Sequence, residues 1–192
     1  MLVVFDTQFV ALLLHPRARV PDDPNTGKPV TNPSGRIALL VETLEAQGAT
    51  ILIPTPALAE FLVLAQRDGP AYLSELKDHS ALKVEPFDEM AAIEAAAMEI
   101  AATDSGDKRG GAEGDWQKVK VDRQILAVAK TRAASCVYSV DPGMVKMGNR
   151  DGINIVQVHE LPLPPAKEGV LDFETTSSTE PQPPSGRSPD VE

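Results

Sequence analysis

The chain has 192 residues, 42% of them hydrophobic and only 4% aromatic, with a formal net charge of −10. That length suits one α/β domain able to bury a real core. The single cysteine, Cys136, excludes disulfides and cysteine-based zinc sites, and fits a reducing, cytoplasmic compartment.

Leu2-Val3-Val4-Phe5 reads as a short buried strand closed by Asp6, and a helix from Thr7 to about Leu14 follows, ended by His15-Pro16. This apolar start lacks a basic n-region and a cleavage site and contains Asp6, so it is not read as a signal peptide. Residues 16 to 33 form a long loop rich in Pro, Asp, Asn and Gly, a kind of loop that is usually functional or mobile. Ser34 is the expected cap of a helix on which Ile37, Leu40, Val41 and Leu44 share a face, with Gly48 as its stop. Thr50 to Ile53 is the second strand. Thr55-Pro56 opens the next helix, with Thr55 as N-cap. A break at Gly69-Pro70 leads into another helix reaching about Asp78, and Ala81 to Glu85 is the third strand.

Asp88 opens an Ala-rich helix to about Thr103, and a polar, Gly-rich loop from Ser105 to Gly114 separates it from a helix over Asp122 to Ala133. Cys136 to Val140 is the fourth strand, a short helix follows Pro142, and Ile153 to Val158 is the fifth strand. Strands alternating with helices predict a three-layer α/β/α sandwich around a mostly parallel five-stranded sheet. Sites in such sheets gather outside the carboxyl ends of strands. Residues 1–161 form the expected domain. Residues 162–192, with Pro, Ser, Thr and Glu and little to bury, are expected to be a disordered acidic tail. No apolar stretch approaches the ~20 residues of a membrane span.

A strongly negative chain is at first sight a poor partner for nucleic acid. The distribution matters more than the total. From Pro162 onward two basic residues face six acidic ones, so the tail carries −4 and the body −6. Between Lys118 and Arg150, seven basic residues face only Asp122 and Asp141. Positive charge is thus expected beside two carboxylates, with a solvated helix face as the plainer reading.

Four lone carboxylates stand where apolar runs end or pass: Asp6, Glu60, Asp122 and Asp141. Burying such groups is unfavourable unless something positive compensates them. Converging, they would form a hard-oxygen site for Mg²⁺ or Mn²⁺. Each aspartate has a simpler reading: Asp6 and Asp122 as helix N-caps, and Asp141-Pro142-Gly143 as a turn. Glu60 does not share it. Its helix neighbours Pro56, Ala57, Val63 and Leu64 are apolar, which predicts a buried helix with no wet face for Glu60. Asp122 shares the core-facing stripe of Ile125, Leu126 and Ala129, at an expected helix N-terminus whose dipole favours negative charge.

Phe5-Asp6-Thr7, Ile53-Pro54-Thr55-Pro56-Ala57-Leu58-Ala59-Glu60, Val121 to Ala129 and Tyr138-Ser139-Val140-Asp141 resemble, in order, the four signature segments of the PIN domain. The resemblance spans residues 1 to about 160. It implies an α/β/α metal-dependent nuclease, with VapC-type toxins of toxin–antitoxin pairs among its relatives. It further implies that Asp6, Glu60, Asp122 and Asp141 are the catalytic, Mg²⁺- or Mn²⁺-binding acids, supported by Thr7 and Ser139. RNA is the implied substrate and an antitoxin the implied partner, while the apolar helices between Ser34 and Asp78 are read as an antitoxin face, core or a homodimer face. Lys118, Lys120 and Arg123 are the candidate phosphate contacts. Gln8 departs from the asparagine of many relatives, and the 16–33 loop and acidic tail look additional to a minimal toxin.

Gln8 lies where a haloacid-dehalogenase-type phosphatase needs a second aspartate, and Asp6-Thr7-Gln8-Phe9 lacks the Gly-rich turn of a dinucleotide site. His15, His79 and His159 are scattered and receive no general-base role. Trp116 is read as a packed loop anchor rather than a base-stacking platform. The rival from another class is a catalytically silent PIN domain serving as an RNA-binding or assembly module.

Overall fold

The computed structural model describes residues 1–112 and 115–165. The expected tail therefore lies almost wholly outside the described residues. Five strands, β1 (Leu2–Phe5), β2 (Thr50–Pro54), β3 (Leu82–Glu85), β4 (Val137–Tyr138) and β5 (Ile155–Val156), form one sheet in the order β3-β2-β1-β4-β5. Every pairing is parallel, with Val3 opposite Ile51 and Phe5 opposite Tyr138. The chain steps outward from β1 through β2 to β3, then returns to β4 on the other side of β1. That reversal makes the carboxyl ends of β1 and β4 the switch point where α/β sheets bind ligands.

Alternation along the strands sorts side chains into two cores. Val3, Phe5, Ile51, Ile53 and Tyr138 pack with α1 (Thr7–Leu14), α2 (Pro33–Ala46) and Leu76 of α4 (Gly69–Asp78). Val4, Leu52, Val137 and Ile155 pack on the opposite face with α6 (Trp116–Thr131), α7 (Pro142–Asp151) and Met98 of α5 (Glu89–Asp104). Helix α3 (Thr55–Ala65) contributes Phe61 to the first core and Ala57 to the second. The predicted three layers are therefore present, with a sheet that is wholly parallel. Phe5, Phe9 and Tyr138 meet with centroids 5.4–5.5 Å apart beside the β1–β4 switch point.

Several boundaries differ from expectation for local reasons. Asn32 caps α2 instead of Ser34. It occupies the left-handed region at φ 50°, which Asn tolerates better than most residues, and accepts from Gly35 N–H at 3.2 Å. Thr55 lies inside α3, and its hydroxyl accepts from Phe87 N–H at 2.9 Å, tying that helix to the β3–α5 connection. Helix α6 begins at Trp116, six residues before Asp122, because Val119 adds a fully buried residue to its apolar face. Strand β4, between β1 and β5, and the edge strand β5 are each two residues long.

The long loop between α1 and α2 is built rather than loose. Asp22 bridges antiparallel to Pro29, Asp23 accepts from Asn25 N–H at 2.8 Å, and Val30 is buried.

Candidate active site

Asp6 directly follows β1, and Asp141 is the third residue after β4. The β1–β4 ladder continues past the strands, with Asp6 N–H donating to the Tyr138 carbonyl at 3.1 Å, and this places Ser139 against Asp6. The buried Ser139 hydroxyl donates to Asp6 Oδ2 and accepts from Asp141 N–H at 3.1 Å, so one side chain fixes both strand ends. Asp6 Oδ1 accepts from Phe9 N–H at 2.8 Å, and Asp141 Oδ1 from Gly143 N–H at 2.7 Å. Both aspartates are thus N-caps, of α1 and α7; the plainer reading held a cap at Asp6 and a turn at Asp141. Each cap uses one oxygen and leaves the other turned to a second group.

Asp122 is not a cap. It lies almost two turns inside α6, beyond the region where the helix dipole acts, so the dipole argument for its charge does not hold. Lys118, one turn earlier on the same face, supplies the compensation. Its Nζ donates to Asp122 Oδ2 at 2.8 Å and also to Asp141 Oδ2, joining two carboxylates from different elements. Glu60 Oε2 accepts from the Thr7 hydroxyl at 2.6 Å.

The expectation of a buried α3 is overturned. That helix buries Ala57, Phe61 and Ala65, while Val63 is 75% and Leu64 50% exposed. Only one side of α3 meets the sheet and its neighbours, so Glu60 turns to an open cavity of about 750 Å³. Asp6, Thr7, Glu60, Lys118, Asp122 and Asp141 all line it, and Val63, Leu64, Ile125 and Val140 supply its apolar walls. Two further lining residues, Arg19 and Pro21, come from the α1–α2 loop. The sequence signal for them was only that long loops are usually functional or mobile.

The seven basic residues between Lys118 and Arg150 do not gather at the cavity; Lys118 alone of them lines it. Arg123 is corrected as a phosphate contact. It is 3% exposed, pairs with Glu99 at 3.3 Å and donates to the Lys108 carbonyl at 2.9 Å, joining α6 to α5 and the following loop. Arg132 binds Glu85 and Asp88, and Lys130 binds Glu94. Lys120 is two residues from Lys118, about 200° around the helix, and lies 5.5 Å from the centroid of Trp116. Trp116, read from the sequence as a packed loop anchor, is instead the first residue of α6, half-buried beneath Lys108 at 4.5 Å. None of the three histidines lines the cavity.

Burial pushes the Asp6 carboxyl up from 3.8 to about 6, despite the opposing pull of the Ser139 hydroxyl and Phe9 N–H. Burial also raises Asp122, while the Lys118 hydrogen bond and charge lower it and Glu60 raises it further. Among the described residues, no three acidic, histidine or cysteine side chains are grouped as the ligand set of one ion. The donor chemistry nonetheless suits a hard cation. Four carboxylates face one cavity, and an ammonium already bridges two of them.

No protein-family profile and no curated protein matches the chain. Solved structures do match it. VapBC2 from Rickettsia felis bound to a DNA fragment from their promoter aligns over 82% of this chain and 98% of that chain, at 17% identity and a TM-score of 0.52. FitAB bound to an IR36 DNA fragment aligns over 83% and 97%, at 16% identity and a TM-score of 0.52. DNA-bound VapBC from Salmonella typhimurium aligns over 82% and 99%, at 17% identity and a TM-score of 0.51. The likeness in fold extends over nearly the whole of each matched chain. The order β3-β2-β1-β4-β5, the two helical layers and these matches together give the chain the PIN-type, VapC-like α/β/α fold.

Proposed function

We propose that this protein is a metal-dependent nuclease acting on RNA phosphodiesters, the toxin-like member of a toxin–antitoxin pair. One observation carries the reading: Asp6, Glu60, Asp122 and Asp141 come from four separate segments and line a single cavity at the switch point of the sheet. Against these four carboxylates the cavity sets two cations, Arg19 and Lys118, leaving an excess of two negative charges when all are ionised. Such a cavity repels a phosphodiester unless a further cation enters. The same four acids would hold Mg²⁺ or Mn²⁺, which supplies an activated water and neutralises charge developing on the phosphate.

The remaining work falls to the chain's own side chains. Ser139 aims Asp6, Thr7 aims Glu60, and Lys118 draws Asp122 and Asp141 towards each other. Arg19 and Lys118 would attract the nucleic-acid backbone to the mouth of the cavity. Exposed Val63 and Leu64 at that mouth give an antitoxin apolar area to cover, within the helices that the sequence leaves as an antitoxin face, core or a homodimer face. The similar VapBC and FitAB structures, each an assembly on DNA, support a partnered reading.

A silent assembly module is the second reading, favoured by the absence, among the described residues, of three carboxylates grouped around one point. Cleavage of single-stranded RNA and DNA in Mn²⁺, Mg²⁺ or EDTA, comparing the parent with Asp6→Asn, separates the two. Metal-dependent RNA cleavage lost in Asp6→Asn is expected. Inactivity on every substrate would favour the silent module, and equal activity in Asp6→Asn would sink the site assignment.

A further inference from the structure

Lys118 has a position that helix stability does not explain. On α6 it precedes Asp122 by four residues, and an ion pair with the basic residue first is the weaker of the two helical orders. Its second contact, to Asp141, reaches the N-cap of α7, 23 positions along the chain. The lysine side chain is half exposed, whereas those of Asp122 and Asp141 are 9% and 22% exposed. A half-exposed cation is therefore inserted from the rim between two poorly hydrated carboxylates.

We propose that the Lys118 ammonium is a built-in cation of the site, which a divalent metal displaces from Asp122 and Asp141 and which then passes to a phosphate of the bound nucleic acid. The second half rests on the nuclease reading; the first does not. Asp122 Oδ2 and Asp141 Oδ2, which accept from the ammonium, are among the hard oxygens that Mg²⁺ or Mn²⁺ would take, so the two cations compete. Lysine suits the exchange. Its ammonium is a compact point charge on a flexible stem, without the planar fork that holds arginine to a carboxylate. Once displaced, it stays rooted in the cavity wall, where it offsets the charge of an entering phosphodiester. Lys118 is thus a positioning residue with opposite effects on the two ligands.

The test is calorimetric titration of the full chain with Mn²⁺, without nucleic acid, for the parent, Lys118→Met, Lys118→Arg and Lys120→Ala. Lys118→Met should bind Mn²⁺ about tenfold more tightly, the response to removing a competitor worth about 1.4 kcal/mol. Lys118→Arg keeps a competing cation and should stay within about threefold of the parent. Lys120→Ala removes the same charge from the other side of α6, so it should change the affinity less than about twofold. In a second arm, binding of a single-stranded oligoribonucleotide is followed in Ca²⁺ over a salt series. There Lys118→Met should bind several-fold more weakly, its salt slope shallower by about one. Unchanged Mn²⁺ affinity in Lys118→Met, or an equal gain in Lys120→Ala, overturns the proposal while leaving the nuclease reading standing. Unchanged oligonucleotide affinity and slope overturn the transfer to phosphate. Failure of every protein to bind Mn²⁺ removes the metal-dependent reading together with the proposal.

Discussion

Asp6→Asn should make the metal-free protein more stable, and increasingly so as pH rises. Asp6 is buried, and its carboxyl is pushed up from 3.8 to about 6 in the folded chain. The sign follows from proton linkage: between those values the folded state holds the proton that the unfolded state has released. Stability is therefore lost as pH rises through this window, and the full penalty stands above about pH 6. The shift of about two units corresponds to about 3 kcal/mol at pH 8 and about 1.6 kcal/mol at pH 5. An asparagine carries no such charge. It can still accept from Phe9 N–H through its oxygen, while the Ser139 hydroxyl turns to accept from its amide. Urea unfolding in EDTA at pH 5 and pH 8 should show the advantage of Asp6→Asn over the parent growing by about 1.4 kcal/mol between them. Mn²⁺ at 1,000 times its Kd should reverse the order, because it then stabilises the parent by about 4.1 kcal/mol and the variant much less. An advantage independent of pH, or one that shrinks at pH 8, would refute burial as the cause.

Three further substitutions probe the structure around the site. Ser139→Ala strands both Asp6 Oδ2 and Asp141 N–H in a buried setting; a stability loss of about 2–3 kcal/mol in urea, with weakened Mn²⁺ binding by calorimetry, is expected. Arg123→Met removes the tie among α6, Glu99 and the Lys108 carbonyl, so it should lower stability by about 2 kcal/mol in urea unfolding. The salt slope of oligonucleotide binding should be unchanged; a slope reduced by about one would restore Arg123 as a phosphate contact. At Gly148, a Cβ would lie 2.4 Å from Ile155 Cγ1, so Gly148→Ala should overpack the α7–β5 contact and lower the urea midpoint by the equivalent of about 1–3 kcal/mol.

Much of the fold is legible in the chain because strand ends and helix starts carry local signals. The apolar run Leu2 to Phe5 can only be a short strand, Asp6 carries the marks of a cap, and Asp141-Pro142-Gly143 those of a turn. Local signals failed where tertiary packing replaced them. The start of α6 depends on Val119 finding the core, so its first turn reads from the sequence as an extension of the polar loop. The basic run from Lys118 to Arg150 looked like one electrostatic surface, yet Arg123, Lys130 and Arg132 are taken up by Glu99, Glu94, Glu85 and Asp88. Charge counted along a chain does not reveal which partners other elements bring.

The sequence alone determined the four acids, their order and the α/β/α alternation that carries them, because strand and helix periodicity are properties of neighbouring residues. Tertiary structure decided what surrounds those acids. The reversal of strand order at β1 brings Ser139 beneath Asp6 and Asp141, while the α1–α2 loop lends Arg19 to the cavity. The open side of α3 turns Glu60 towards the cavity, and the meeting of α6 with α7 sets Lys118 between Asp122 and Asp141. A carboxylate's chemistry depends on the charge and burial around it, and distant segments supply both only once the sheet has assembled.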